Sequence, residues 1–392
     1  MPETDSPKRQ VRQVAVLIET EGSWEASVIR GIADYAQTYG HWHLLIDPRD
    51  HELRSSLPDK WCGDGIIARI SNRLQLEHIR RRGLPTINID TLYEGQEGIH
   101  DVVTDDAIRA QLALEHLRDR GFERFAFFAP PSHEYSTKRG REFMSAVREA
   151  GFPCDEYKPG YRVGRKIGWD EQQRRVSSWL DSLEFPIGIL TVDAHRGRQL
   201  AEICHLREIR VPDEIAILAG HNDELMCDVS TPPLSSIAIA GQRIGYEAMA
   251  LLDRLSQGEQ VSEEPRLIPP KGVTSRQSTD ILAIDDETVV RALRFIRAHA
   301  FQDIVVKDIL REIPVSRRCL EIQFRNYLGR SPAEEIRRVR LEKGRELLSQ
   351  TTMSISEIAT ACGFANATRF GVAFRKREGK TPLAYRKQTF AG

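Results

Sequence analysis

Two stretches near the C-terminus stand fifty positions apart, each opening on a small polar residue, with arginine in the next three positions and another arginine nine positions on. The first is Ser316-Arg317-Arg318, followed by Glu321 and Arg325. The second is Asn366-Ala367-Thr368-Arg369, followed by Gly371 and Arg375. An arginine fork can grip guanine O6 and N7 or a phosphate, and a small residue lets a helix approach base edges closely. The chemistry on offer is therefore recognition of duplex nucleic acid.

The elements that must position these residues also recur. Leu320 and Phe324 return as Phe370 and Phe374, each pair four apart on one helical face. Gly329-Arg330-Ser331-Pro332 returns as Gly379-Lys380-Thr381-Pro382. In the first copy a helix over Val306–Ile313 leads through Pro314-Val315 to a helix beginning at Ser316. In the second, Ile355–Ala361 leads through Cys362-Gly363-Phe364 to a helix beginning near Asn366. Ser316 and Ser354 suit helix N-caps, and Glu357 completes a capping box with Ser354. A helix over Ala333–Gln350 joins the copies. A short helix, a tight turn and a second helix with arginine at its start describe a helix-turn-helix. One such unit could equally be a plain helical bundle with solvated arginines; two at a fixed offset favour DNA. From Asp285 onward there are 21 Lys+Arg against 13 Asp+Glu, net +8, while the rest of the chain carries −9. A basic tail on an acidic body suits a polyanion partner for the tail alone.

The first 280 residues read differently. Short apolar runs (Val14–Ile18, His43–Ile46, Gly65–Ile70, Pro85–Ile89, Arg124–Phe128, Ile187–Val192, Ile215–Ala219) alternate with helix-period stretches. The helices fall at Ser23–Tyr39, Leu53–Trp61, Leu74–Arg82, Ala107–Arg120, Arg139–Ala150, Asp170–Leu183, Ala194–Arg207 and Gly241–Leu255. Such alternation predicts parallel sheets covered by helices, and the length predicts two α/β lobes. The proline-rich stretch after Ser256 reads as a last strand pair and a linker. The organisation predicted is a disordered tail over 1–10, a two-lobed α/β domain over 11–279, a linker at 280–286 and an all-α domain over 287–392. The chain has 392 residues, 40% hydrophobic and 29% charged, which excludes wholesale disorder. Six cysteines without a Cys-x-x-Cys pair argue against a disulfide scaffold or structural zinc. Cys319 and Cys362 are expected to pack in the helix-turn-helix cores. No apolar run is long enough to span a bilayer, and the polar start predicts a cytoplasmic location without a secretory signal. No phosphate loop, nucleophile elbow or His-x-x-x-His pattern is present, so no enzyme, cofactor or metal is expected.

Arg340-Leu341-Glu342, Leu347-Leu348, Ser354-Ile355-x-Glu357-Ile358-Ala359-x-x-Cys362-Gly363-Phe364, Phe370-x-x-x-Phe374-Arg375-Lys376 and Gly379-x-Thr381-Pro382-x-x-Tyr385-Arg386 together resemble the AraC/XylS transcription regulators. The chain departs from that pattern at Gly344, Ala365, Ala367 and Arg369. The stretch from Val102-Val103-Thr104-Asp105 to His116-Leu117 and Gly121-Phe122-x-x-Phe125-Ala126 resembles the periplasmic-binding-protein-type sensors of the LacI group. The resemblance implies a regulator, most simply an activator, that binds operator DNA. It also implies a small sugar such as D-xylose between its lobes, action as a homodimer, and a contact with RNA polymerase. Sugar hydroxyls need carboxylate, amide and guanidinium partners beyond the strand ends. On that basis the ligand candidates are Glu19, Trp24 and Glu25 after the first strand, Asp105 at the lobe crossing, and Arg139 and Arg141 at the start of the second lobe's first helix. Asp193, His221, Asn222 and Asp223 complete the set. Asp105 and Asp193 also suit helix caps, and Trp24 a core position. Xylose-responsive members carry Asp-Asn where this chain has His221-Asn222, and Tyr-Asp where it has Trp24-Glu25. The DNA candidates are Ser316, Arg317, Arg318, Glu321, Arg325, Asn366, Ala367, Thr368, Arg369 and Arg375.

Overall fold

The computed structural model describes residues 11–20, 22–40, 42–46, 57–58, 60–129, 134–158, 168–280 and 286–389. The tail over 1–10, nearly all of the predicted 280–286 linker and most of the helix predicted over 53–61 lie outside them.

The described strands are β1 (Arg12–Leu17), β2 (Trp42–Ile46), β3 (Gly65–Ala68), β4 (Thr86–Asn88), β5 (His100–Thr104), β6 (Phe125–Phe128), β7 (Cys154–Glu156), β8 (Ile187–Thr191), β9 (Ile215–Ala219), β10 (Ser235–Ala238), β11 (Arg266–Ile268) and β12 (Gly272–Thr274). The helices of the α/β part are α1 (Ser23–Tyr39), α2 (Arg73–Arg82), α3 (Asp106–Arg118), α4 (Glu134–Glu149), α5 (Trp169–Leu180), α6 (Ala194–Leu206), α7 (Glu224–Asp228) and α8 (Gly241–Ser256). Those of the C-terminal part are α9 (Glu287–His299), α10 (Val306–Glu312), α11 (Arg317–Leu328), α12 (Pro332–Gln350), α13 (Ile355–Ala361), α14 (Ala367–Glu378) and α15 (Pro382–Thr389).

Two compact units result. The first joins the chain up to Asp105 with Ala240–Pro269. Its parallel sheet runs β11-β5-β4-β3-β1-β2. Ala15, Leu17, Ile66, Ala68, Leu76 and Ile79 fill one side of it. Here α8 belongs with α1 and not with the second lobe, as its place in the sequence had suggested. The reason is backbone contact. A Cβ on Gly31 would stand 1.9 Å from the Gln242 carbonyl oxygen, and one on Gly245 would stand 1.9 Å from that of Val28. Only glycine permits this crossing.

The second unit joins Asp106–Ile239 with the chain from Pro270 to Phe390. Its sheet runs β12-β10-β9-β8-β6-β7, parallel except that β12 lies antiparallel on β10. The predicted last strand pair is thus no pair, because β11 and β12 close two different sheets. Buried Phe, Ile, Leu and Val cover both faces of this sheet, as continuous apolar strands require.

The helical part has two cores, one per repeat. Leu320 and Phe324 pack with Ile309, Leu293 and Ile296. Phe370 and Phe374 pack with Leu348, Ile358 and Cys362. α12 contributes Ile336 to the first and Leu341 and Leu348 to the second, so one helix of 19 residues carries both. Its Gly344 is a packing residue, since a Cβ there would meet the Phe370 ring at 2.6 Å. Cys362 is buried as expected, but Cys319 is exposed at the start of α11.

Candidate functional site

The second helix of each repeat begins where the sequence predicts. Ser316 caps α11 by accepting from the Cys319 N–H at 3.1 Å, and Asn366 caps α14 by accepting from the Arg369 N–H at 2.9 Å. Their side-chain oxygens therefore set the helix starts. Arg317, Arg318, Thr368, Arg369 and Arg375 are exposed, and Ala367 and Gly371 are partly covered. Arg317 donates to Glu321 at 2.9 Å one turn on. Arg325 lines a cleft of about 730 Å³ that also takes in Glu115, Asp119 and Glu123 of the α/β part.

Behind these helices lies an ion cluster that the sequence reading missed. Arg330 reaches Asp119 at 3.0 Å and Glu335 at 2.5 Å. Arg338 pairs with Asp119, with Glu335 at 2.8 Å and with Glu342 at 2.9 Å. Glu335 is fully buried. Burial would raise its carboxyl, but the Arg338 hydrogen bond and the two guanidinium charges hold it down at about 2. Asp119 follows α3, so this cluster ties the α/β part of the second unit to the joining helix α12.

A second buried network meets it. Arg120 donates to the Thr279 carbonyl at 2.6 Å, to the His116 carbonyl at 2.8 Å and to the Ser275 hydroxyl at 3.1 Å. Arg120 also faces His116 Nδ1 at 3.1 Å, so that nitrogen accepts and the ring proton sits on Nε2, which donates to Thr279 Oγ1 at 2.8 Å. Burial, then the Arg120 charge, pushes His116 well below its ordinary value and keeps it neutral. Burial likewise lowers Arg120 to about 10. The last residues before the linker are thus fastened to α3 and to Ser235 of β10.

The ligand candidates divide between the units. In the first, Glu19 is exposed after β1, and Trp24 and Glu25 are partly covered at the start of α1. Glu25 accepts from Arg69 Nη1 at 2.5 Å, while Arg69 Nε donates to Asp90 at 2.8 Å. The Arg69 guanidinium lies 5.6 Å over the Trp24 ring. Burial would lower Arg69, but Asp90 and Glu25 prevail and its pKa is raised. Arg69 and Asp90 follow β3 and β4, and that strand-end position was the signal for both. Asp105 ends this unit, its N–H bonded to the Ile268 carbonyl at 2.9 Å.

In the second unit Asp106 is a buried carboxylate, 3.2 Å from Arg109 and 3.7 Å from Arg139. Arg139 also approaches the Val192 carbonyl at 3.4 Å. Arg139 and Arg141 do not begin the unit's first helix. α3 precedes them, and α4 starts at Glu134, so both sit inside α4; Arg141 is exposed. Asp193 caps α6 by accepting from the Arg196 N–H at 2.8 Å, and Asp223 caps α7 through Met226 at 3.0 Å. Asn222 accepts from the Ser236 hydroxyl at 2.7 Å, and His221 beside it is partly covered. All of these stand at carboxyl ends of strands or on the helices that follow.

Two sheets with polar and charged groups at their strand ends, followed by twin helix-turn-helix units, define a DNA-binding transcription regulator with a periplasmic-binding-type sensor. Family models match in the same order: XylR N-terminal domain over 13–107, periplasmic binding protein-like domain over 114–279 and helix-turn-helix domain over 309–388. The xylose operon regulatory protein of Escherichia coli K12 is 30% identical over 381 residues, 95% of this chain and 96% of its own. Its counterpart from Haemophilus influenzae is 30% identical over 96% of this chain and 98% of its own. A solved structure described as the xylose-binding transcription activator xylR superposes with a TM-score of 0.59 at 28% identity, covering 97% of this chain and 98% of that one. The chain belongs to the family of the xylose operon regulatory proteins. Among the described residues no helix is long and apolar enough to cross a membrane.

Proposed function

We propose that the chain is a cytoplasmic, sugar-responsive activator that binds its operator as a homodimer and engages RNA polymerase there. The effector is a small sugar of the pentose class, D-xylose first among them, as for the relatives named above. The observation that carries this reading is the Arg69 fork, fixed by Glu25 and Asp90 beside the face of Trp24. A guanidinium and carboxylates suit adjacent hydroxyls, and an indole face suits the C–H side of a sugar ring. The second unit has its own candidates for sugar hydroxyls in Asp106, Arg139, Asn222, Asp193, His221 and Asp223. Arg317, Arg318, Arg369 and Arg375 take operator bases and phosphates. The sugar raises operator affinity to the extent that it binds the DNA-competent arrangement more tightly.

A thermal-shift panel of pentoses and hexoses on the full chain tests the effector, since a ligand of the folded state raises the melting point. D-xylose should raise it, and Arg69→Ala should weaken the sugar by roughly 5- to 150-fold, the loss of one or two hydrogen bonds to a charged group. No shift with any sugar would refute the sensor reading and leave the DNA-binding one untouched. Sedimentation of the full chain tests the dimer.

A further inference from the structure

On α11 the buried stripe is Leu320, Phe324 and Leu328, and on α14 it is Phe370 and Phe374. A residue two positions beyond the first of each stripe lies about 200° round the helix, on the side turned away from the core. That residue is Ile322 in α11 and Val372 in α14, which are 50% and 68% exposed. They occupy the same position in the two repeats. A single exposed aliphatic side chain carries no information. On the operator-binding reading proposed above, branched aliphatics at the outermost point of both second helices are a different matter. Each is bracketed one turn either way by exposed hydrogen-bonding groups: Arg318 and Asn326 around Ile322, Thr368 and Lys376 around Val372.

The major groove offers one apolar group to such a side chain, the C5 methyl of thymine. We propose that Ile322 and Val372 each read a thymine methyl, so that each half of the operator contacted by one subunit holds a thymine at the centre of each groove segment. Two helix-turn-helix units on a single joining helix enter groove segments about one turn apart, so the two thymines stand roughly 10 base pairs from each other. Arg318, Asn326, Thr368 and Lys376 then serve the flanking base edges and phosphates.

The test uses the full chain and a duplex selected with it from a random-sequence library. Thymines are replaced one at a time by deoxyuridine, which removes the methyl and nothing else, and affinity is read by fluorescence anisotropy. In each half of the duplex two positions about one turn apart should each lose roughly fourfold, the worth of one buried methyl at ~0.8 kcal/mol. Ile322→Ala should abolish the loss at one of them and Val372→Ala at the other. Absence of any methyl-sensitive thymine overturns the proposal, as does a loss that persists in both variants. The deoxyuridine arm needs no altered protein, so it stands however the variants fold.

Discussion

Removing Asp119 is the sharpest perturbation of the second unit. Its carboxylate receives Arg330 at 3.0 Å and Arg338 closer still, and all three side chains are largely shielded from water. After Asp119→Ala both guanidinium groups keep Glu335, at 2.5 Å and 2.8 Å, so neither is left without a counter-charge. The loss therefore lies below the full cost of stranding a buried charge, roughly 3–5 kcal/mol. It lies above one charge-assisted hydrogen bond, about 1.5 kcal/mol at least. About 3 kcal/mol is the expected value. A chain of several units has no single unfolding free energy, so the measurement must resolve segments. Hydrogen exchange of the full chain does so. Amides in the first half of α12 should exchange roughly 100-fold faster, which is about 3 kcal/mol at 1.4 kcal/mol per decade. Glu335→Ala is the positive control within α12. If Glu335→Ala speeds exchange and Asp119→Ala leaves it unchanged, the tie between α3 and α12 contributes nothing and the reasoning fails.

Gly245→Ala should unfold the contact of α1 with α8, because its Cβ would stand 1.9 Å from the Val28 carbonyl oxygen and backbone cannot step aside; faster hydrogen exchange of α1 and α8 amides, worth about 3 kcal/mol or more, is expected, at the upper end for overpacking. Glu335, held at about 2 against an ordinary 4.5, contributes stability that is present above pH 4.5 and drains away as pH falls toward 2. Acid titration of the wild type against Glu335→Gln should show that segment of the curve flattened in the variant. His116, kept neutral and well below its ordinary 6.5, contributes stability that is present above that pH and is lost as pH falls below it. Melting points at pH 7.5 and 5.5 should therefore converge in His116→Gln. Operator affinity should fall steeply with salt as phosphate counterions are released, and Arg318→Ala should reduce that slope by about one unit if it holds a phosphate.

The sequence by itself determined the elements and the class. Continuous apolar runs such as Ile187–Thr191 have no polar face, so they can only be strands buried on both sides. The fifty-residue offset between Leu320–Phe324 and Phe370–Phe374 fixed both recognition helices, because spacing of four is what one helical face demands. The caps at Ser316 and Ser354 were legible for the same local reason: each lies within three residues of the N–H it binds.

Tertiary structure alone decided which distant elements share a unit. α8 follows β10 in sequence but packs on α1, because the deciding fact is a pair of glycines 214 positions apart, Gly31 set against the backbone of Gln242 and Gly245 against that of Val28. The strand-end positions of Arg69 and Asp90 are legible in the sequence but their pairing is not; folding brings β3, β4 and α1 together and gives Arg69 both Asp90 and Glu25. The same holds for Asp119 and Arg338, which are 219 positions apart. Charge partners at such separations leave no periodic trace along the chain. Local order is written in neighbouring residues, whereas the Arg69 cluster and the tie to the joining helix exist only once loop closure has brought remote side chains within a few ångströms.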